Sequence, residues 1–289
     1  MNRLTRRNAL FSMLGLAALP LSADEPKPVT PAYNHLTDKE EISLGRDIAK
    51  ELEKQRKLKF IEKHSLQDYV NNVFEKVVKT SRRPNLPYSI KIVDTTELNA
   101  FSLPGGFVYL NRALMEFAQN EAEMMGVLAH EVGHVVGRHV ANNISRENTA
   151  DSLMTEASRT LFGDDTPARL VKEIASPVAL LALLKYSRDQ ESEADMLGFY
   201  NMQRAGWNPQ GMVTFFERLD KDPEGLQSIM ALGSDHPASA DRAARISAEM
   251  RDFPPAPNLI LNSDGFKEMQ AELKKLPPAP KPSSEVAEN

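Results

Sequence analysis

The stretch Ala129-His130-Glu131-Val132-Gly133-His134 constrains this chain more than any other, because it asks for a helix and for a particular chemistry at once. Helical residues four apart lie one turn apart on one face, so His130 and His134 can reach a single cation with Glu131 beside them. The flanks predict a helix over residues 120–143. Asn120 is a suitable N-cap, and Glu123 is spaced to complete a capping box. Met124, Val127, Leu128, Val132, Val135, Val136 and Val140 make the apolar stripe that faces a core. Gly126, Gly133 and Gly137 fall on the histidine side. Each interior glycine costs a helix about 1 kcal/mol relative to alanine. Their presence predicts a second element packed closely against the histidine face.

The 289 residues include six histidines and no cysteine. Thiolate ligands, disulfides and a cysteine nucleophile are therefore excluded, and any metal must bind through nitrogen and oxygen. A net charge of -5 and a pI near 5.8 carry no electrostatic footprint for nucleic acid.

Residues 1–23 read as a signal peptide: Arg3, Arg6 and Arg7 are basic, Ala9 to Leu21 is apolar, and Leu21-Ser22-Ala23 suits cleavage. A spanning helix needs roughly 20 apolar residues. The run is shorter, so membrane association is expected to be peripheral at most. Thr5-Arg6-Arg7-Asn8-Ala9-Leu10 also resembles a twin-arginine signal, which leaves the Sec and twin-arginine routes both open. Either route implies an exported protein, and a bacterial periplasm.

The rest of the chain reads as one α+β domain over residues 24–275, mostly helical with a small sheet beside the His130 helix. Thr37 with Glu40 opens a first helix, and residues 66–80 keep the helical period in a second. Tyr88 to Asp94 alternates as a strand. A loop through Asn99, Ala100 and Phe101 leads to a Pro104-Gly105-Gly106 turn and a strand from Phe107 to Leu110, followed by a short helix to Phe117 capped by Asn111. That strand offers either an unpaired edge that holds an extended peptide or an ordinary sheet edge, and the sequence leaves both open. Residues 145–166 are polar and broken, and Val178 to Leu184 is apolar nearly all round. Helices are expected from Asp189 to Gly206, from Asn208-Pro209 through Leu219, and from Ser239 to about Met250. The Pro-rich tail, residues 276–289, is expected to be disordered.

A catalytic zinc ordinarily takes three protein ligands and a water, so the two histidines need a partner. His139 lies five residues beyond His134. On a continuous helix that is about 140° round from it, which predicts a surface position or a contact with a backbone carbonyl. His35 and His64 stand in polar surroundings and are expected to face solvent. The better candidate is Glu191. It lies one turn before Asp195, so Glu191 can bind the metal while Asp195 accepts the free N–H of a ligating histidine. Glu193 lies between them in sequence and fits a solvated face.

His-Glu-x-x-His, followed by Glu191-x-x-x-Asp195, with Asn99-Ala100-Phe101-Ser102-Leu103-Pro104-Gly105-Gly106 upstream and His236-Pro237 downstream, resembles the M48 zinc metallopeptidases, and most closely their exported bacterial members. The resemblance covers residues 37–250. It implies a zincin-like fold, one Zn2+, His130, His134 and Glu191 as its ligands, Glu131 as general base, and Asp195 orienting a ligand histidine. It also matches His236 and Arg242 to a His-Pro-x-x-x-x-Arg pattern near the site. The multiple membrane helices of some members and the helical repeats appended to others have no counterpart in this sequence.

The function implied is endoproteolysis of unfolded exported or outer-membrane polypeptides. Arg242 or a charged His236 is available to steady a developing oxyanion. A neutral His236 could instead occupy the open metal position and keep the resting enzyme latent. The rival from another class is a metal-stabilised periplasmic chaperone that binds extended segments without cutting them. Glu131 separates the two, because a binder needs no general base beside its metal.

Overall fold

A three-stranded mixed sheet lies between one long helix and a group of others, and the alternation of its side chains shows why. The computed structural model describes residues 34, 36–55, 58–150, 184–222 and 240–281. Strands β1 (Ser89–Val93), β2 (Ala100–Leu103) and β3 (Phe107–Asn111) are ordered β1-β3-β2, with β3 parallel to β1 and antiparallel to β2. Val108 and Leu110 of β3 join the larger core, whereas Tyr109 between them joins the smaller one with Phe101 and Leu103. Burial on both faces follows from that period-two split.

The smaller core is closed by α1 (Asp38–Gln55), through Ile48, Ala49 and Leu52. Thr37 and Glu40 form the expected capping box, with the Glu40 N–H donating to the Thr37 hydroxyl at 3.3 Å and the Thr37 N–H donating to the Glu40 carboxylate at 2.8 Å. The larger core is built on α2 (His64–Thr80), α3 (Arg112–Phe117) and α4 (Glu121–Gly137). Beyond α4 come α5 (His139–Ala150), α6 (Arg188–Ala205), α7 (Gln210–Leu219), α8 (Ala240–Asp252) and α9 (Asp264–Leu273). No described helix is long and apolar enough to cross a membrane.

Four expectations need revision. Ala100 and Phe101 begin a strand, not a loop, because the Pro104-Gly105-Gly106 turn folds them back onto β3. As a result β3 is the central strand, paired on both sides, and the sheet edge that touches α4 is β2. The helix expected over 120–143 breaks at Arg138, which adopts the left-handed conformation with φ 56°. A helix that the sequence reading passed over, α9, packs Phe266, Met269 and Leu273 into the larger core.

The break at Arg138 is held from outside the helix. Glu41 of α1 is 1% exposed and accepts from Arg138 Nε at 2.8 Å and from Arg83 Nη1 and Nη2 at 3.1 Å. A non-glycine residue in left-handed backbone costs roughly 1–2 kcal/mol. Breaking a buried, paired charge costs about 3–5 kcal/mol, so the Glu41 clamp outweighs the strain.

The tail expected to be disordered from residue 276 stays on the domain for its first residues. The Pro277 carbonyl accepts from Arg112 Nη1 at 2.7 Å and the Pro280 carbonyl accepts from the Thr96 N–H at 3.1 Å. The expected signal peptide over residues 1–23, the segment 151–183, His35, His236 with Pro237, and residues 282–289 lie outside the described residues.

Candidate metal centre

The centre forms where α4 and α6 touch nearly backbone to backbone. A Cβ on Gly133 would stand 2.6 Å from the carbonyl oxygen of Ala194, and one on Gly198 would stand 3.0 Å from the backbone nitrogen of His130. Further along α4, a Cβ on Gly126 would stand 2.7 Å from the Met212 side chain of α7. The glycines therefore do the work inferred from the sequence: they let α6 and α7 approach the histidine face. Gly133→Ala should gain about 1 kcal/mol in helix propensity. It should lose more to overpacking, typically about 1–3 kcal/mol, because the clash is with backbone. A lowered thermal midpoint together with weakened metal binding is expected, and an unchanged midpoint would count against close packing here.

Both termini of the two helices are firmly set. On α4, the Asn120 side chain accepts from the Glu123 N–H at 3.0 Å. Glu123 itself reaches back to the Gln119 N–H at 2.9 Å rather than to Asn120. On α6, Ser187 and Gln190 form a full capping box, and Gly206 at φ 96° ends the helix. Residues 191 and 195 are thus presented one turn apart toward α4.

The structure brings together His130, His134 and Glu191, all buried, with donor atoms within 4.8 Å of one another. His130 Nε2 lies 3.0 Å from His134 Nε2 and 3.5 Å from Glu191 Oε2, and His134 Nε2 lies 3.3 Å from Glu191 Oε1. Glu131, 1% exposed, follows His130 directly on α4. Burial pushes both imidazoles below the ordinary histidine range, aided by the Arg242 charge at His130 and by His130 at His134. Neutral imidazoles are the form that binds a metal.

Asp195 Oδ1 lies 3.0 Å from His130 Nδ1, the nitrogen turned away from Glu191, so this ligand histidine is held from behind. Burial raises the Asp195 pKa, but the Arg242 charge and the His130 hydrogen bond outweigh it and hold the carboxyl at about 2. Arg242 of α8 stacks on Phe216 at 4.0 Å. It donates from Nε at 3.0 Å and from Nη2 at 2.6 Å to Asp195, and Nη1 lies 3.2 Å from Glu191. Its three nitrogens face carboxylates, which makes it a brace for α6.

The sequence reading missed the surroundings of His134. His139 is fully buried, with Nδ1 2.8 Å from His134 Nδ1, and is not on the surface. The 140° argument fails because the helix does not continue past Gly137. Tyr186 stacks on the His134 ring with centroids 3.8 Å apart. Glu193, expected on a solvated face, is 23% exposed and lies 3.5 Å from His139 Nε2. A glycine close to a histidine near a helix end was the available signal. His64 is exposed, as expected, at the start of α2.

Comparison with known proteins agrees with this geometry. The chain is 27% identical over 201 residues to a putative beta-barrel assembly-enhancing protease of Vibrio cholerae, covering 67% of this chain and 42% of that protein. It is 29% identical over 183 residues to the mitochondrial metalloendopeptidase OMA1 of Schizosaccharomyces pombe, covering 63% and 52%. With the metalloprotease LoiP of Escherichia coli it shares 30% identity over 164 residues, covering 57% and 63%. The aligned part thus spans about two fifths to three fifths of these curated relatives. The family model for peptidase family M48 matches residues 64–250, which include both α4 histidines, Glu191, Asp195 and Arg242, and the chain belongs to that family of metallopeptidases.

Proposed function

We propose that the chain is a zinc-dependent endopeptidase of the bacterial periplasm, hydrolysing peptide bonds of unfolded or misassembled exported proteins with Glu131 as general base. The observation that carries the reading is the buried triangle of His130, His134 and Glu191, with Glu131 between the two histidines on α4. Ligand atoms about 2.1 Å from one ion at tetrahedral angles stand about 3.3–3.4 Å apart. The observed separations of 3.0, 3.3 and 3.5 Å fit such an ion, and two neutral imidazoles with one carboxylate suit zinc.

Zinc held there supplies a Lewis acid for the scissile carbonyl and a lowered pKa for its water. The chain's own residues do the rest. Glu131 takes the proton from the attacking water and returns it to the leaving amine. Asp195 and Arg242 keep His130 and Glu191 in place. β2 supports an extended substrate beside them, since the Ser102 hydroxyl of this edge strand donates to the Glu131 carbonyl at 3.1 Å. The name of the Vibrio cholerae relative points to β-barrel assembly, which supports outer-membrane polypeptides as substrates and the periplasm as the place.

The test is zinc analysis of the purified protein with casein digestion before and after chelation. One zinc per chain, with cleavage lost on chelation and restored by zinc, is expected. Binding of unfolded protein with no cleavage in the zinc-loaded state would favour the chaperone reading instead.

A further inference from the structure

His130 has a carboxylate behind it, and His134 has an imidazole. We propose that His139 is a positioning residue for His134, the middle member of a relay from His134 through His139 toward the half-buried Glu193 carboxylate, and that it decides which nitrogen of His134 faces the metal. The proposal rests on reading this centre as a metal site.

Hydrogen-bond chemistry allows one arrangement of protons along the relay. His134 Nε2 faces His130 and Glu191, so it must present a lone pair to act as a ligand. A neutral imidazole carries one N–H, which places the proton on Nδ1. That N–H points at His139 Nδ1, 2.8 Å away, which must then be an acceptor. His139 in turn carries its proton on Nε2, which makes no hydrogen bond but lies 3.5 Å from Glu193 Oε2, so that carboxylate favours a proton there through its charge.

The backbone shows that this contact is built and not incidental packing. A continuous helix would carry residue 139 about 140° away from His134. Instead the chain turns at Arg138 in left-handed backbone, which costs roughly 1–2 kcal/mol at a non-glycine residue. Gly137 leaves room for the result: a Cβ there would stand 2.4 Å from His139 Nε2. Any side chain at 137 would push the ring off His134. Tyr186, stacked on the His134 ring, limits its tilt, and His139 faces its Nδ1.

Two substitutions give opposite answers for positioning and for packing. His139→Leu keeps apolar bulk and removes the acceptor. His139→Asn loses bulk but puts an amide oxygen near the place of Nδ1. Zinc affinity of the full chain would be measured by chelator competition, and the histidine tautomers of the metal-free, 15N-histidine-labelled protein by NMR. His139→Leu should bind zinc about 10–100-fold more weakly, the usual cost of losing a group that orients a ligand histidine. His139→Asn should stay within about threefold of the parent, and His134 should be the Nδ1–H tautomer in the parent and in His139→Asn only.

Parent-like zinc affinity in His139→Leu, or an equal loss in both variants, would overturn the relay. If His139→Leu does not fold, Glu193→Leu takes its place. It should weaken zinc in the parent background and have no effect in the His139→Asn background, and equal effects in both would overturn the proposal. A parent protein that binds no zinc would instead remove the metal-site reading. The tautomer of His134 in that same protein would still report on the relay by itself.

Discussion

Glu131→Gln should lower proteolysis by at least two orders of magnitude while fold and metal content stay close to those of the parent. Glu131 is 1% exposed in the middle of α4, so the change has to be judged in a packed setting. Glutamine has nearly the same volume and keeps an amide oxygen, and α4 tolerates it as well as glutamate. What it lacks is a carboxylate that can take a proton from water and give it back. General base catalysis contributes about 10²- to 10⁴-fold on its own, which sets the size of the loss. Cleavage of an unfolded substrate, zinc content and thermal midpoint should be read on one preparation. Parent-level cleavage would remove Glu131 from the mechanism. Loss of zinc in parallel with cleavage would mean that Glu131 helps to hold the metal and is not acting as the base alone.

The sequence made the parts of this centre that depend on local spacing readable. His130 and His134 on one helix face, Glu191 and Asp195 one turn apart, and the Thr37–Glu40 capping box all follow from helical period. The closeness of α6 and α7 was also legible, because Gly133 and Gly126 make sense in a helix only if a neighbour must approach its backbone. The misses share a different cause. Arg138 bends the chain because Glu41, which is 97 residues away in sequence, clamps it. No local propensity announces that clamp, and without it His139 falls on the wrong side of the helix. Ala100 and Phe101 look like loop residues until Leu110 and Tyr109 are placed opposite them. That Arg242 braces Asp195 and Glu191 could not be read from its sequence position, which gives no view of either carboxylate. The helix α9 was within reach: Ser263 caps it, and Phe266, Met269 and Leu273 repeat at helical spacing.

The two carboxylates of α6 have different tasks, and substitution should expose the difference. Asp195 meets His130 Nδ1 from behind, whereas Glu191 faces the Nε2 atoms of both histidines. Asp195→Asn should therefore weaken metal binding by the roughly 10–100-fold that loss of a supporting group costs. Glu191→Ala should do far more, because it leaves two ligands where a zinc site needs three. Glu191 is 2% exposed and paired with Arg242, so its removal also threatens the fold. Glu191→Gln separates the two effects: an amide oxygen stays beside Arg242, the volume is kept, and the charge that helps to bind the cation is gone. Chelator competition should show zinc affinity falling steeply in both Glu191 variants, with near-parent stability in Glu191→Gln. Glu193→Ala, two residues along α6 and in contact with His139 but not with Nε2 of His130 or His134, should cost no more than Asp195→Asn. Equal zinc loss from Glu191→Gln and Glu193→Ala would show that Glu191 is not the third ligand.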